Sequence, residues 1–198
     1  SAIGSLTNPL KLSKTFKSVK GKTISNKTLK NYIDYLLNAF LISKATRFDI
    51  KGKRYINSPS KYYFEDIGLR NVRLNFRQIE ENHIMENIIY NELRMRGYHV
   101  DVGVVEQFGK DSLGKTMKKQ LEIDFVATLG SEKYYIQSAF SMSNPEKIEQ
   151  ESRSLKGIGD SFKKIIVVRD NIQPRRDEFG IMTIGICNFL LDEHSLRL

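Results

Sequence analysis

Glu122 and Asp124, two apart in Leu121-Glu122-Ile123-Asp124-Phe125, are the sharpest chemical signal in the chain. Side chains two apart on a strand share a face, so the alternation predicts both carboxylates on one side and Leu121, Ile123 and Phe125 toward the core. Such a pair suits a hard divalent cation such as Mg²⁺, with Gln137 of the next strand as a further oxygen and Glu86 of the preceding helix beside it. The plain alternative is two acids on a solvated sheet face.

A second pattern is Gly109-Lys110-Asp111-Ser112-Leu113-Gly114-Lys115-Thr116, which satisfies G-x-x-x-x-G-K-[ST]. In a phosphate-binding loop Lys115 would reach the terminal phosphates, Thr116 would face Mg²⁺, and a helix would follow at once to supply backbone N–H groups. Only Met117 to Gln120 separate the match from the alternating strand at Leu121, too little for that helix. The match is read as a basic hairpin loop and not as a nucleotide site. His83, His99 and His194 lack metal-ligand spacing and are read as structural or surface residues. The lone Cys187 permits no internal disulfide, which suits a reducing cytoplasm, and is expected to pack near an apolar C-terminal helix.

The elements that must position these groups can be read from periodicity. Ser25 is placed as an N-cap, and Leu29, Tyr32, Ile33, Leu36, Leu37 and Phe40 recur at helical spacing, predicting a helix over about 26–42 with one buried face. Pro9 opens an earlier helix that ends at Lys20-Gly21-Lys22. Lys44 to Ile50 and Arg54 to Ile56 read as strands around Lys51-Gly52-Lys53. Helix, short turn, helix and hairpin together predict a winged helix-turn-helix, with Lys27, Lys30, Asn31, Lys51, Lys53 and Arg54 as candidate contacts to duplex DNA. Further on, the pattern predicts a helix from Ile79 to Arg96 ended by Gly97 and three strands at 98–104, 121–127 and 134–140. A helix from Asn144-Pro145 and the buried run at 163–169 follow. That αβββαβ order predicts a mixed α/β domain with a central mixed sheet.

Charge divides the same way. The 198 residues carry a net +9, but residues 1–77 hold 16 basic and 4 acidic side chains, a net of +12, while 78–198 hold 16 and 19, a net of −3. Two regions are expected: 1–77, basic and suited to an anionic partner, and 78–198, carrying the carboxylates. No apolar run is long enough to span a bilayer, so a membrane partner is not expected. The Ser-Ala start in place of Met fits a piece of a longer protein.

The succession TLKNYIDYLLNAFLI, RFDIKGKRYI, KYYFEDIGLRN, HIMENIIYNELRMRGYHVDVG, EIDFVA, YYIQSAF and FGIMTIGICNFLL resembles the C-terminal region found behind the ATPase domain in a large group of prokaryotic AAA+ ATPases. The resemblance spans nearly the whole chain. It implies a winged helix over 1–77 and a restriction-endonuclease-like domain of the PD-(D/E)XK kind over 78–198, with ATP bound only in an upstream ATPase domain of the same protein. It implies Glu86 as the helix glutamate, Asp124 as the metal-binding aspartate, and Gln137 at the acid of the E-x-K strand motif. Here the chain departs from that pattern: Gln137-Ser138-Ala139 lacks both the second acid and the lysine that orients water and balances transition-state charge.

The expected function is therefore an accessory region of a cytoplasmic AAA+ ATPase. Its basic winged helix would bind DNA or a partner, and its nuclease-like domain would be inactive unless Lys133 or another base reaches in. The alternatives are a Mg²⁺-dependent nuclease using Glu86, Glu122 and Asp124, and a protein–protein interaction module that binds no nucleic acid.

Overall fold

A computed structural model describes residues 4–77, 80–110, 116–142 and 144–198. The chain is mixed α/β, built on an eight-stranded mixed sheet of order β2-β1-β3-β4-β5-β6-β8-β7. Two helices come first, α1 (Pro9–Lys20) and α2 (Asn26–Asn38). Asn8 caps α1 by accepting from Lys11 N, and Ser25 caps α2 by accepting from Thr28 N. Gly21 closes α1 at φ 67°, a left-handed conformation that costs a residue without a Cβ little.

The antiparallel pair β1 (Ile42–Asp49) and β2 (Arg54–Phe64) follows, then α3 (Ile67–Arg73) and α4 (Glu81–Met95). Ile79, expected to start α4, lies outside the described residues. The next strands are β3 (His99–Lys110), β4 (Thr116–Leu129) and β5 (Glu132–Ala139), all antiparallel neighbours. Helix α5 (Pro145–Lys156), capped by Asn144, crosses to β6 (Lys163–Val168), which lies parallel to β5. The chain ends through β7 (Arg175–Arg176), β8 (Met182–Gly185) and α6 (Ile186–Leu191).

The hairpin read as a wing is the edge of the main sheet. Arg47, Phe48 and Asp49 of β1 pair in parallel with Val102, Gly103 and Val104 of β3, so the sheet runs across the expected boundary at residue 77. Ala45 of β1 and Tyr63 of β2, both fully buried, share a core cluster with Ile89, Leu93, Phe125 and Ile136. A second cluster on the other side of the sheet gathers Ile123, Val126, Tyr135, Leu155 and Ile166.

Three expectations are corrected. Strand β2 runs to Phe64, well past Ile56. The helix expected to reach about 42 ends at Asn38, and its stripe is not a buried face: none of its residues is buried and Tyr32 is 53% exposed, because the helix rests on α1 and β1 and among the described residues nothing covers its outer side; Phe40, past its end, is 81% exposed. Cys187 lies in α6 but is exposed.

Strand β4 also breaks the simple alternation. Asp101 pairs with Val126 and Gly103 with Ile123, so Asp124 and Phe125 together face Val102 in a β-bulge. Ile123 and Phe125 therefore belong to opposite clusters instead of one shared face. The bulge turns Asp124 toward the side where Phe125 meets α4.

Candidate functional site

The carboxylates found in the sequence meet at a lysine. Lys61 Nζ of β2 lies 2.9 Å from Glu86 Oε1, 2.7 Å from Glu122 Oε1 and 3.0 Å from Asp124 Oδ1. Lys61, Glu86 and Asp124 are each at least 92% removed from solvent, and Glu122 is the open member, its side chain 35% exposed. Tyr63, two residues along β2 and on the same face, donates from Oη to Glu86 Oε1 at 2.7 Å and stacks on Tyr90 of α4 with ring centroids 4.1 Å apart.

Helix and strand are fastened where this alignment is needed. Asn87, next to Glu86 and fully buried, accepts from Phe64 N and donates to Phe64 O, both at 2.8 Å. The backbone of β2 beside Tyr63 is thus bonded to the side chain beside Glu86. Asp124 is held from the other side by Ser138 N, 2.9 Å from its Oδ2. The β4–β5 pairing stops at Phe125 and Ile136, and the strands part at Asp124 and Gln137. Gly4 packs over Glu86 so closely that a Cβ there would fall 2.6 Å from Oε2.

The electrostatics follow from this packing. Burial pulls Lys61 toward neutrality, but Asp124, Glu86 and Glu122 together outweigh it and hold the ammonium well above its ordinary pKa. Burial, reinforced by Asp124 and opposed by Lys61, pushes Glu86 up to about 7. Burial and the Glu86 carboxylate keep the Tyr63 phenol protonated far above its usual range. One cation thus serves three carboxylates, one of which exchanges its proton near neutrality.

Gln137 lies beyond Asp124 at the divergence. Its Oε1 is buried and has no hydrogen-bond partner among the described residues. It lines a cavity of about 480 Å³ with Glu122, Lys119, Arg153 and Ser154, on the α5 side of the sheet. Glu122 and Gln137 are oxygen donors of the kind a hard cation such as Mg²⁺ takes, and they are the residues that would face one in this cavity; Asp124 does not line it, its Oδ1 and Oδ2 being engaged by Lys61 Nζ and Ser138 N.

Lys133 does not enter this site, since its Nζ sits over the rings of Phe162 and Phe48 at 5.0 and 5.7 Å. Lys61 and Tyr63 were missed in the sequence because the strand was ended at Ile56. The alternation Lys61, Tyr63 against Ser60, Tyr62 was the available signal. Of the candidate nucleic-acid contacts, Lys27, Lys30 and Asn31 are exposed on α2, and Lys51 and Lys53 are exposed in the β1–β2 turn. Arg54 is also exposed, with its Nε 3.5 Å from Asp49 Oδ2. Residues 111–115 of the phosphate-loop match lie outside the described residues, and Thr116 opens a strand where such a loop would open a helix. Among the described residues no helix is long and apolar enough to cross a membrane.

Comparisons with known proteins cover the first eighty residues by a family model and nearly the whole chain by a relative. The family model described as a domain of unknown function (DUF8612) matches residues 1–80. An uncharacterized protein of Haemophilus influenzae is 36% identical over 189 residues, covering 96% of this chain and 43% of that protein. The uncharacterized protein MJ1544 of Methanocaldococcus jannaschii is 31% identical over 137 residues, covering 69% of this chain and 28% of that one. The chain thus spans less than half the length of these relatives. Among solved structures, protein VC1899 of Vibrio cholerae aligns over 96% of this chain and 52% of its own, with a TM-score of 0.35 and 14% identity.

Proposed function

We propose that the chain is a nucleic-acid-processing module of a larger protein, in which Glu86, Glu122, Asp124 and Lys61 form a metal-dependent phosphodiesterase site of the restriction-endonuclease-like kind. The observation that carries this reading is Lys61 Nζ within 3.0 Å of all three carboxylates. It supplies from β2 the cation that β5 lacks at Ala139. The order α4-β3-β4-β5-α5-β6 repeats the αβββαβ order read from the sequence periodicity, and Glu122 and Asp124 sit where β4 and β5 part.

Each residue then has a distinct task. Lys61 stays charged throughout the neutral range, so it cannot act as a base; it aligns the carboxylates and stabilises negative charge developing on a phosphoryl group. Glu86, titrating near pH 7, is the group suited to take a proton from water, and Tyr63 fixes its orientation. A divalent ion, when bound, would polarise the phosphoryl oxygen.

The test is cleavage of labelled DNA and RNA, single- and double-stranded, with Mg²⁺ or Mn²⁺. Activity that disappears in Asp124→Asn and Lys61→Met is expected, and an inert wild-type chain with both metals and all substrates overturns the reading.

A second reading is favoured by a different observation. The outer face of α2 exposes Tyr32, Tyr35 and Leu36 beside Lys27 and Lys30, and Phe40 is exposed just past its end. A cytoplasmic AAA+ accessory region, with a winged helix over 1–77 docked on its upstream ATPase domain and a catalytically silent nuclease-like region, would cover that face. Lys61 would then be only an internal counter-ion. A metal-independent complex with the ATPase domain, abolished by Tyr35→Ser and Phe40→Ser, would favour this second reading.

A further inference from the structure

A second cavity opens beside the acidic one, on the same side of the sheet. It encloses about 430 Å³ between the β1–β2 turn and the loop after α5, with Lys51 and Lys53 on one wall, Ile50 and Ile158 among its apolar residues, and Glu106 and Asp160 opposite. Of the two acids, Glu106 is paired with a cation, while Asp160 is hydrogen-bonded to neutral donors and keeps its charge. Glu106 Oε1 lies 2.6 Å from Lys118 Nζ, and Asp160 accepts from Tyr135 Oη at 2.6 Å and from Phe162 N at 3.2 Å. Lys51 and Lys53 have no ion-pair partner among the described residues. Two lysines thus stand against the one carboxylate of Asp160, and the cavity has a net positive charge over an apolar lining.

The two cavities are neighbours along both the sheet and the helix. Val105 lines this one and Leu121 the acidic one, and the two residues are direct partners in the β3–β4 ladder. Ser154 lines the acidic cavity, while Gly157, three residues on, lines this one. A nucleic-acid strand crossing from one cavity to the other would place one phosphate at the lysines while another phosphodiester faces Glu122 and Gln137.

We propose that the Lys51–Lys53 cavity is a phosphate subsite for single-stranded nucleic acid, which positions the strand for the acidic cavity. The inference rests on the phosphodiesterase reading for what lies next door, but the subsite itself is defined by binding alone. A single strand fits because the lysines border a concave pocket between a turn and a loop, where the apolar lining can take a sugar or base. A rigid duplex meets such a pocket only at its rim. The lysines thus act within a pocket and not as a wing tip on duplex DNA.

The test uses the whole chain in EDTA, so that no cleavage intervenes. Binding of a fluorescein-labelled twelve-residue oligothymidylate is followed by anisotropy across a salt series, for the wild type, Lys51→Gln/Lys53→Gln, and Lys14→Gln/Lys17→Gln on the exposed side of α1. Single-strand binding falls with salt in proportion to the phosphates neutralised, about 0.7 in log–log slope for each. The Lys51/Lys53 variant should bind about tenfold more weakly, with a slope lower by roughly one. The α1 variant, with the same charge change, should stay within about twofold of wild type, and both should unfold at the wild-type temperature. Equal losses in both variants, or no loss in the first, overturn the subsite. Duplex DNA bound as tightly through the same lysines, or inorganic phosphate displacing the oligonucleotide at equal concentration, overturns the single-strand assignment. A subsite confirmed in EDTA beside a chain that never cleaves with metal leaves the subsite standing and removes the phosphodiesterase; cleavage that is unaffected by the Lys51/Lys53 change leaves the phosphodiesterase standing and overturns the positioning of the strand by these lysines.

Discussion

Replacing Glu86 by Gln should stabilise the protein at alkaline pH and leave it unchanged in acid. The substitution keeps the shape of the side chain and an oxygen to accept from Lys61 Nζ and Tyr63 Oη. What it removes is the charge. Glu86 is buried, and its pKa rises from 4.5 to about 7, chiefly through burial and then through Asp124. Between those values the folded chain keeps a proton that the unfolded chain releases, so this group's contribution to stability falls as pH rises through the window. At about 1.4 kcal/mol per pKa unit the complete loss is about 3 kcal/mol, reached near pH 8. In a chain of this size that corresponds to roughly 5–10 °C in unfolding temperature. The assay is thermal unfolding of both proteins from pH 4.5 to 8.5, with any constant offset between them subtracted. The gap should be near zero at the acid end and open as pH rises, with the Gln variant the more stable. Parallel profiles across that range would show that Glu86 bears no charge penalty in the fold, and the role given to it as a proton acceptor near neutrality would fall with them.

Removing the cation should do the opposite. Lys61→Met leaves three facing carboxylates uncompensated and should cost about 3–5 kcal/mol at pH 7 by denaturant unfolding, a loss that shrinks on acidification as the carboxyl groups take up protons. Asn87→Ala removes both bonds to Phe64 and leaves Phe64 N without its acceptor, while Phe64 O keeps Asn91 Nδ2 at 3.0 Å; about 1–3 kcal/mol should be lost, with little dependence on pH between 5 and 8.

Much of the local structure was legible because its signals are local. Ser25, Gly21 and the Asn144-Pro145 pair mark helix ends by satisfying backbone groups or permitting a left-handed turn, and each acts where the sequence placed it. The carboxylate pair of β4 was equally plain. Less legible was β2, where Asn57-Ser58-Pro59-Ser60 reads as a turn. Pro59 is tolerated because β2 is an edge strand, and edge position is a property of the assembled sheet. The bulge at Asp124 and Phe125 carries no composition signal, since it is set by how β3 pairs with β4. The stripe on α2 gave the correct period, but a period says which side of a helix is apolar and not what will cover it. Lys61 combined these difficulties, being a lysine on a strand ended too early, in a region whose other lysines advertise a basic surface.

The charge division of the sequence acquires a different meaning once Lys61 is located. A net of +12 over 1–77 and −3 over 78–198 suggested one region for binding anions and another for chemistry. Yet the cation at the centre of the acidic cluster comes from the basic region, carried in on β2 and locked to α4 through Asn87. The match of the DUF8612 model to residues 1–80 includes Lys61 and Tyr63 but none of Glu86, Glu122 and Asp124. Neither stretch can assemble the cluster alone: residues 1–80 would present a lysine and a tyrosine that are buried only in the whole chain, and the remainder would bring three carboxylates together with no internal counter-charge. Burying those carboxylates is unfavourable until β2 arrives, and β1 reaches its place only by pairing with β3. The first region and the sheet are therefore coupled through the site itself, and a change at Lys61 acts on both the stability of the sheet edge and the chemistry of the carboxylates.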